Sequence, residues 1–252
     1  MRTGRALASL CVVSSCLLAV PLAAQAPAPA GTAAGAAAAQ ASSAEGPAAA
    51  PPAAVNAPTI DPRTDTGLVP RPAVQTGDEW LYRRATGRAS HVVRQSISAL
   101  SEQGISLKTE VPGSGESVVT VHDREWRLIG SGYNDYSPAL AYYSFPLYPG
   151  KRWGIDSQVS NFGAGQSGRM KGEGRAIGWE EVEVPAGRFL ALRIEIAIDT
   201  ADPGDAKRVL TVRETHWYSR LVLRPVKVES ETVVAGEAAR GETVELVSYR
   251  IE

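Results

Sequence analysis

What this chain has little of narrows what it can do. Of its 252 residues, two are cysteine, Cys11 and Cys16, and both fall in an N-terminal segment that reads as a removable leader. The remaining chain has no thiol for nucleophilic attack, no cysteine-ligated zinc and no disulfide, although an exported protein would be permitted one. Three histidines, His91, His122 and His216, are the only imidazoles. No serine stands in G-x-S-x-G, no H-E-x-x-H occurs, and spacing places no carboxylate pair for glycosidic work. Basic charge is also missing. Without Arg2 and Arg5 of the leader, 24 basic residues face 27 acidic ones, a net charge of −3. Nucleic-acid binding needs a basic footprint that releases counterions, so that class is excluded.

Residues 1–26 combine basic Arg2 and Arg5, an apolar run from Ala6 to Leu22, and the cleavage signal Ala24-Gln25-Ala26. This predicts export to the periplasm or beyond, with no transmembrane span in the mature chain. An uncleaved anchor is the weaker alternative, because about 17 apolar residues is the lower limit for a span. Lipidation at Cys16 is another, since "VSSC" resembles a lipoprotein box. The apolar "LLAVPLAA" after it opposes that reading. Residues 27–72 begin as an alanine- and proline-rich stretch whose only charge up to residue 58 is Glu45. Such a composition buries too little surface to offset its ordering entropy, which predicts a disordered linker.

No aromatic residue precedes Trp80; from there they recur to Tyr249. Residues 73–252 form the expected folded domain, long enough for one substantial core. Short segments of β-branched alternation recur through it, among them "DEWLYRRAT", "SHVVRQSISAL", "ISLKTEV", "ESVVTVHDREWRLIG" and "RFLALRIEIAID". Turns containing glycine or proline separate them, and no long segment has a 3.6-residue period. This predicts an all-β fold, a single antiparallel, strongly curved sheet or open β-barrel. In "RFLALRIEIAID" the alternation places Leu190, Leu192, Ile194, Ile196 and Ile198 on the buried face. "SPALAYYS" is the only candidate for a helical turn. "GDEW" at Gly77 and "GKRW" at Gly150 each open a strand series, a faint internal echo.

Three features invite a chemical reading. "GAGQSG" from Gly163 to Gly168 fits the letters of a dinucleotide loop, but no amphipathic helix follows, so it reads as a hairpin and no cofactor is expected. Glu214, His216 and Tyr218 share one face of a strand, and the first two could share a proton; too few ligands surround them for a metal. A polar ladder is the plainer reading. The densest feature is aromatic: seven of 16 aromatic residues lie between Tyr133 and Trp153. Tyr133, Tyr136, Tyr142, Tyr143 and Tyr148 are the candidate ligand- or partner-binding residues, because tyrosine joins an apolar body to a polar tip. The alternative is that this segment plugs one end of the barrel. Tyr142 and Tyr143 are expected to face opposite ways if extended.

"FPLYPGKRW", "EEVEVPAGRFLALRIE" and "ETHWYSRLVLRPVKVESE", in this order, resemble a group of secreted Gram-negative β-proteins of unknown function. Its members carry P-L-x-x-G-x-x-W, V-P-A-G-x-F-x-A and E-T-x-W-Y motifs. They usually place a Pro-Gly-containing turn after the last, where this chain has "SRLVLRP". The resemblance implies a strongly curved antiparallel sheet, akin to the open half-barrel of periplasmic lipoprotein carriers, and it implies no activity. The expectation is therefore a non-catalytic envelope protein that binds a lipid-like ligand or an envelope protein. A scaffold without a cavity, or an enzyme using Glu214 and His216, are the alternatives. The leader is testable directly: periplasmic protein should begin at or near Pro27 and be released by osmotic shock, whereas an acylated N-terminal Cys16 would contradict this.

Overall fold

The computed structural model describes residues 67–161, 166–202, 205–234 and 239–252. The expected leader and most of the linker lie outside the described residues. Twelve strands follow one another: β1 (Glu79–Thr86), β2 (Ala89–Leu100), β3 (Ile105–Glu110), β4 (Ser117–His122), β5 (Leu128–Ser131), β6 (Asn134–Leu140), β7 (Arg152–Asn161), β8 (Gln166–Val184), β9 (Gly187–Asp202), β10 (Asp205–Ser219), β11 (Arg224–Val234) and β12 (Arg240–Arg250). Each pairs antiparallel with its neighbours in sequence. β1 also pairs with β12, from Glu79–Arg250 to Thr86–Glu242. The barrel is therefore closed, not open as the strand pattern suggested. Alternation within a strand reports which face is buried, whereas closure depends on a pairing between segments at opposite ends of the domain. With both edges paired, no described strand is left with an open edge to template aggregation.

The two strand parities separate cleanly. Apolar side chains point inward in two clusters, one around Trp80, Tyr82, Leu107 and Leu246, the other around Leu140, Leu192, Ile194 and Tyr218. Outward positions carry cross-strand charge pairs such as Arg175–Glu195, Arg193–Glu180 and Arg169–Asp156. A membrane-spanning barrel carries the reverse pattern, an apolar exterior. Leu192, Ile194, Ile196 and Ile198 are buried as the alternation predicts. Ahead of them the parity changes: Phe189 and Ala191 are buried and Leu190 only half-buried. The cause lies in the partner strand, where a register shift between Ala176 and Gly178 inserts an extra residue opposite Arg193.

Two expectations change in detail. "SPALAYYS" forms no helix; its first half belongs to β6, and the chain bends after Leu140. "ESVVTVHDREWRLIG" is two strands, because Asp123 accepts bonds from the backbone N–H groups of Glu125 and Arg127 and closes a turn there. Of "GAGQSG", Gln166, Ser167 and Gly168 open β8, while residues 163–165 lie outside the described residues. The G-x-x-W echo has a structural counterpart: Gly77 and Gly150 both take positive φ, 104° and 87°, just before β1 and β7. These strands open the two six-strand halves, and Trp80 and Trp153 each donate an indole N–H to a backbone carbonyl, of Val222 and Ala141.

Successive turns of an up-and-down barrel alternate between two ends. The 100–105, 122–128, 140–152, 184–187 and 219–224 connections share one end with the residues before β1 and after β12; we call it the terminal end. The other is the hairpin end. Residues that looked like the tail of the linker join the terminal end: Val69 is buried and exchanges both backbone bonds with Leu147, at 2.7 and 2.9 Å. The Trp126 indole reaches the Pro72 carbonyl, and Arg220 that of Leu68. The turn of the β8–β9 hairpin also bends over here, where the β11–β12 ladder stops at Lys227–Glu245 and the Leu246 carbonyl accepts the Ala186 N–H.

Glycine matters most in β8. A Cβ on Gly172 would stand 2.0 Å from the Ala197 carbonyl oxygen, and one on Gly174 would enter the Trp153 ring. Gly154, in β7, has nothing within 4 Å of that position. Gly172→Ala should therefore cost about 1–3 kcal/mol through overpacking, while Gly154→Ala should be neutral or stabilising by up to about 1 kcal/mol. Denaturant unfolding of the two variants measures the contrast; equal effects would contradict the described register.

Candidate functional site: a sealed polar cluster and an outer groove

The inward parity of β10 delivers Glu214, His216 and Tyr218 to one face, each at most 3 % exposed. The β6–β7 connection then supplies what spacing along β10 could not. The Tyr143 hydroxyl lies 2.5 Å from His216 Nδ1, and His216 Nε2 lies 2.9 Å from Glu214 Oε2. Burial pushes the Tyr143 phenol well above its ordinary pKa, although Arg224 opposes the shift. The protonated phenol donates to Nδ1, which leaves the Nε2–H to donate to the carboxylate. The result is a continuous chain of phenol, imidazole and carboxylate inside the barrel.

Arg224, at the start of β11, is the second centre. It is 5 % exposed, and its guanidinium lies 5.5 Å from the Trp80 ring and 5.4 Å from the Trp126 ring. Nη2 donates to the Gln95 side-chain oxygen at 2.8 Å. Cation–π contact of this kind partly replaces lost hydration. Tyr82 donates to the Pro225 carbonyl, and Tyr218 to that of Leu223. Burial raises both phenols, Tyr82 to about 12, against the lowering influence of Arg224.

His122, at the end of β4, faces the same space with its ring 5.3 Å from Trp126. It does not pair with Asp123, whose carboxylate is taken up by its own turn and by Arg127. Burial and the Arg224 charge lower its pKa to about 3, outweighing the Trp126 backbone and Asp123, which favour the charged form. Between His122, Trp126, Leu128, Tyr142, Tyr143, His216 and Arg224 remains a cavity of about 20 Å³, room for one water-sized guest.

The candidate tyrosines scatter. Tyr136 and Tyr142 are buried in the core, Tyr143 is in the polar chain, and Tyr133 and Tyr148 are exposed. Tyr142 and Tyr143 do not diverge: both rings pack against His216, at 6.5 and 5.6 Å between centroids. The expected alternation fails because this segment is bent, with the Tyr142 N–H bonded back to Leu140. Leu147, Phe145 and Tyr142 help fill the terminal end.

Towards the hairpin end lies a groove of about 750 Å³ crossing β8 to β12 and β1. Its charged lining comprises Glu173, Arg175, Glu195, Arg213, Glu229 and Glu231, with Glu214 and Glu242 behind them. Arg175 and Arg193 bond Glu195, Lys227 bonds Glu229, and Arg84 bonds Glu242. Spacing gave no sign of it, since its residues come from six strands. Alternating outward charges were legible, but not their convergence.

A buried neutral histidine couples stability to pH. His122 has a folded pKa of about 3 against 6.5 for the free side chain, so between these values the unfolded chain binds a proton that the folded one refuses. Stability should fall as pH drops through this window, by up to about 1.4 kcal/mol per unit from this group. His122→Leu should remove that part of the slope. An unchanged slope in urea titrations at pH 4 to 7 would show that His122 is charged in the fold.

No protein-family model matches the sequence, and no curated protein matches it. Solved structures similar to this chain include the following three. The chain is 13% identical to a candidate lipoprotein of Parabacteroides distasonis, with 72% of this chain and 97% of that one covered and a TM-score of 0.46. For a candidate exported protein with a YmcC-like fold from Bacteroides fragilis the values are 11%, 73%, 98% and 0.45. For the hypothetical lipoprotein YmcC of Escherichia coli they are 12%, 68%, 84% and 0.41.

Proposed function

We propose that this chain is a non-catalytic, exported β-barrel module that binds a basic segment of an envelope protein in its outer groove. The groove carries the reading. Its volume, about 750 Å³, is that of a ligand site, but its lining is charged rather than apolar. Acid outnumbers base there, and Glu173 and Glu231 make no ion pair among the described residues. A lipid-like guest fits poorly at the polar cluster, where the cavity measures about 20 Å³. The same tightness weighs against an enzyme. Glu214 and His216 do find a third group in Tyr143, but beside the His216 ring the space is only about 20 Å³. Leader and motif resemblance both support export. The terminal end holds residues 68–72, so the groove lies towards the end away from the incoming chain.

A photo-activatable residue at Thr215, within the groove, should cross-link an envelope polypeptide in intact cells; one at Val92, exposed on β2, should not. Glu229→Lys with Glu231→Lys should abolish the Thr215 product while shifting stability by no more than about 1 kcal/mol. Equal labelling from both positions, or none from Thr215, would overturn the reading and leave the sealed barrel as a scaffold.

A further inference from the structure

The cavity at the terminal end is a different matter from the groove, and its chemistry points to a guest. Its lining is rich in donors and poor in free acceptors. Arg224 is a buried cation that forms no ion pair among the described residues: it bonds the neutral Gln95 amide oxygen and lies against the Tyr82 phenol, and its Nε–H has no partner. Neither ring nitrogen of His122, itself 7 % exposed, has a partner of ordinary hydrogen-bond geometry. Both nitrogens of His216 are already engaged, by Tyr143 and Glu214. A buried charge and a buried imidazole left in this way are costly unless something completes them.

The backbone around the space is strained in the two places that shape it. Trp126 and Leu223 are the non-glycine residues with positive φ among those described, at 61° and 58°. One carries the ring beneath Arg224 and His122; the other immediately precedes Arg224. A bulky residue in the left-handed region is a true outlier, and such strain collects at ligand clamps.

We infer that this cavity is a binding site for a single halide-sized anion, chloride in the cell, held by the Arg224 Nε–H and a His122 ring N–H. About 20 Å³ admits one atom-sized guest and excludes phosphate, sulfate or a carboxylic acid. An anion balances Arg224, which a water molecule cannot. The site anchors the β4–β5 turn to the β10–β11 turn and is independent of the groove and its partner.

Bromide is the probe. Protein refolded and crystallised in sodium bromide should show one anomalous peak between His122 and Arg224. In solution, the unfolding midpoint should rise with bromide and then level off, as site-specific linkage requires, relative to sodium gluconate at equal ionic strength. His122→Leu, which removes a donor and fills the space, should abolish the difference. If that variant fails to fold, the bromide map of the unaltered protein still decides. A water alone in the cavity, together with no halide-specific stabilisation, overturns the inference.

Discussion

The ladder between β1 and β12 is the contact on which the rest of the molecule depends. Eight residues of β1 pair with β12, and by doing so they turn the inward parity of twelve strands into one enclosed interior. Closure imposes a filling problem. Every second side chain must find a place inside, and every polar group among them must find a partner there. The apolar part is met by the two clusters around Trp80 and Ile194. The polar part is concentrated at the terminal end.

That concentration explains the chemistry of the interior. A guanidinium between two indoles, a phenol–imidazole–carboxylate chain and a neutral histidine lie within one packed region. Each is the kind of group that marks active sites in open clefts. Here they are buried, and their first effect is to fix the turns that close the barrel. Trp126 ties β4–β5 to Pro72, Tyr218 ties β10 to the turn after it, and Trp80 reaches Val222 across the barrel. The proposed recognition surface lies outside, in the charged groove near the opposite end.

How much of this was legible follows from range. Strand identity is a local property, and alternation found β1 to β3 and β7 to β12 with nearly correct limits, while β4 and β5 were read as one segment. Glu214, His216 and Tyr218 were placed on one face by the same period of two. What needed long-range information stayed hidden. The partner of His216 comes from Tyr143, 73 positions away along the chain, and no spacing rule connects them. The parity change at Ala191 is dictated by a bulge in the neighbouring strand. Leu223 adopts the left-handed conformation that glycine favours, at the turn where "SRLVLRP" departs from the resembled motif. A single sequence contains no signal that a leucine would be held there.

The central claim is that the two core clusters and the polar groups between them leave no room for a lipid-like guest and that binding happens outside. Titration with N-phenyl-naphthylamine, a neutral lipid-like dye, tests it most directly, because Trp80 and Trp126 report on the interior. The account predicts no saturable dye uptake by the native protein and no quenching of these indoles. Saturable one-to-one uptake with tryptophan quenching would contradict it and restore a lipid-carrying barrel.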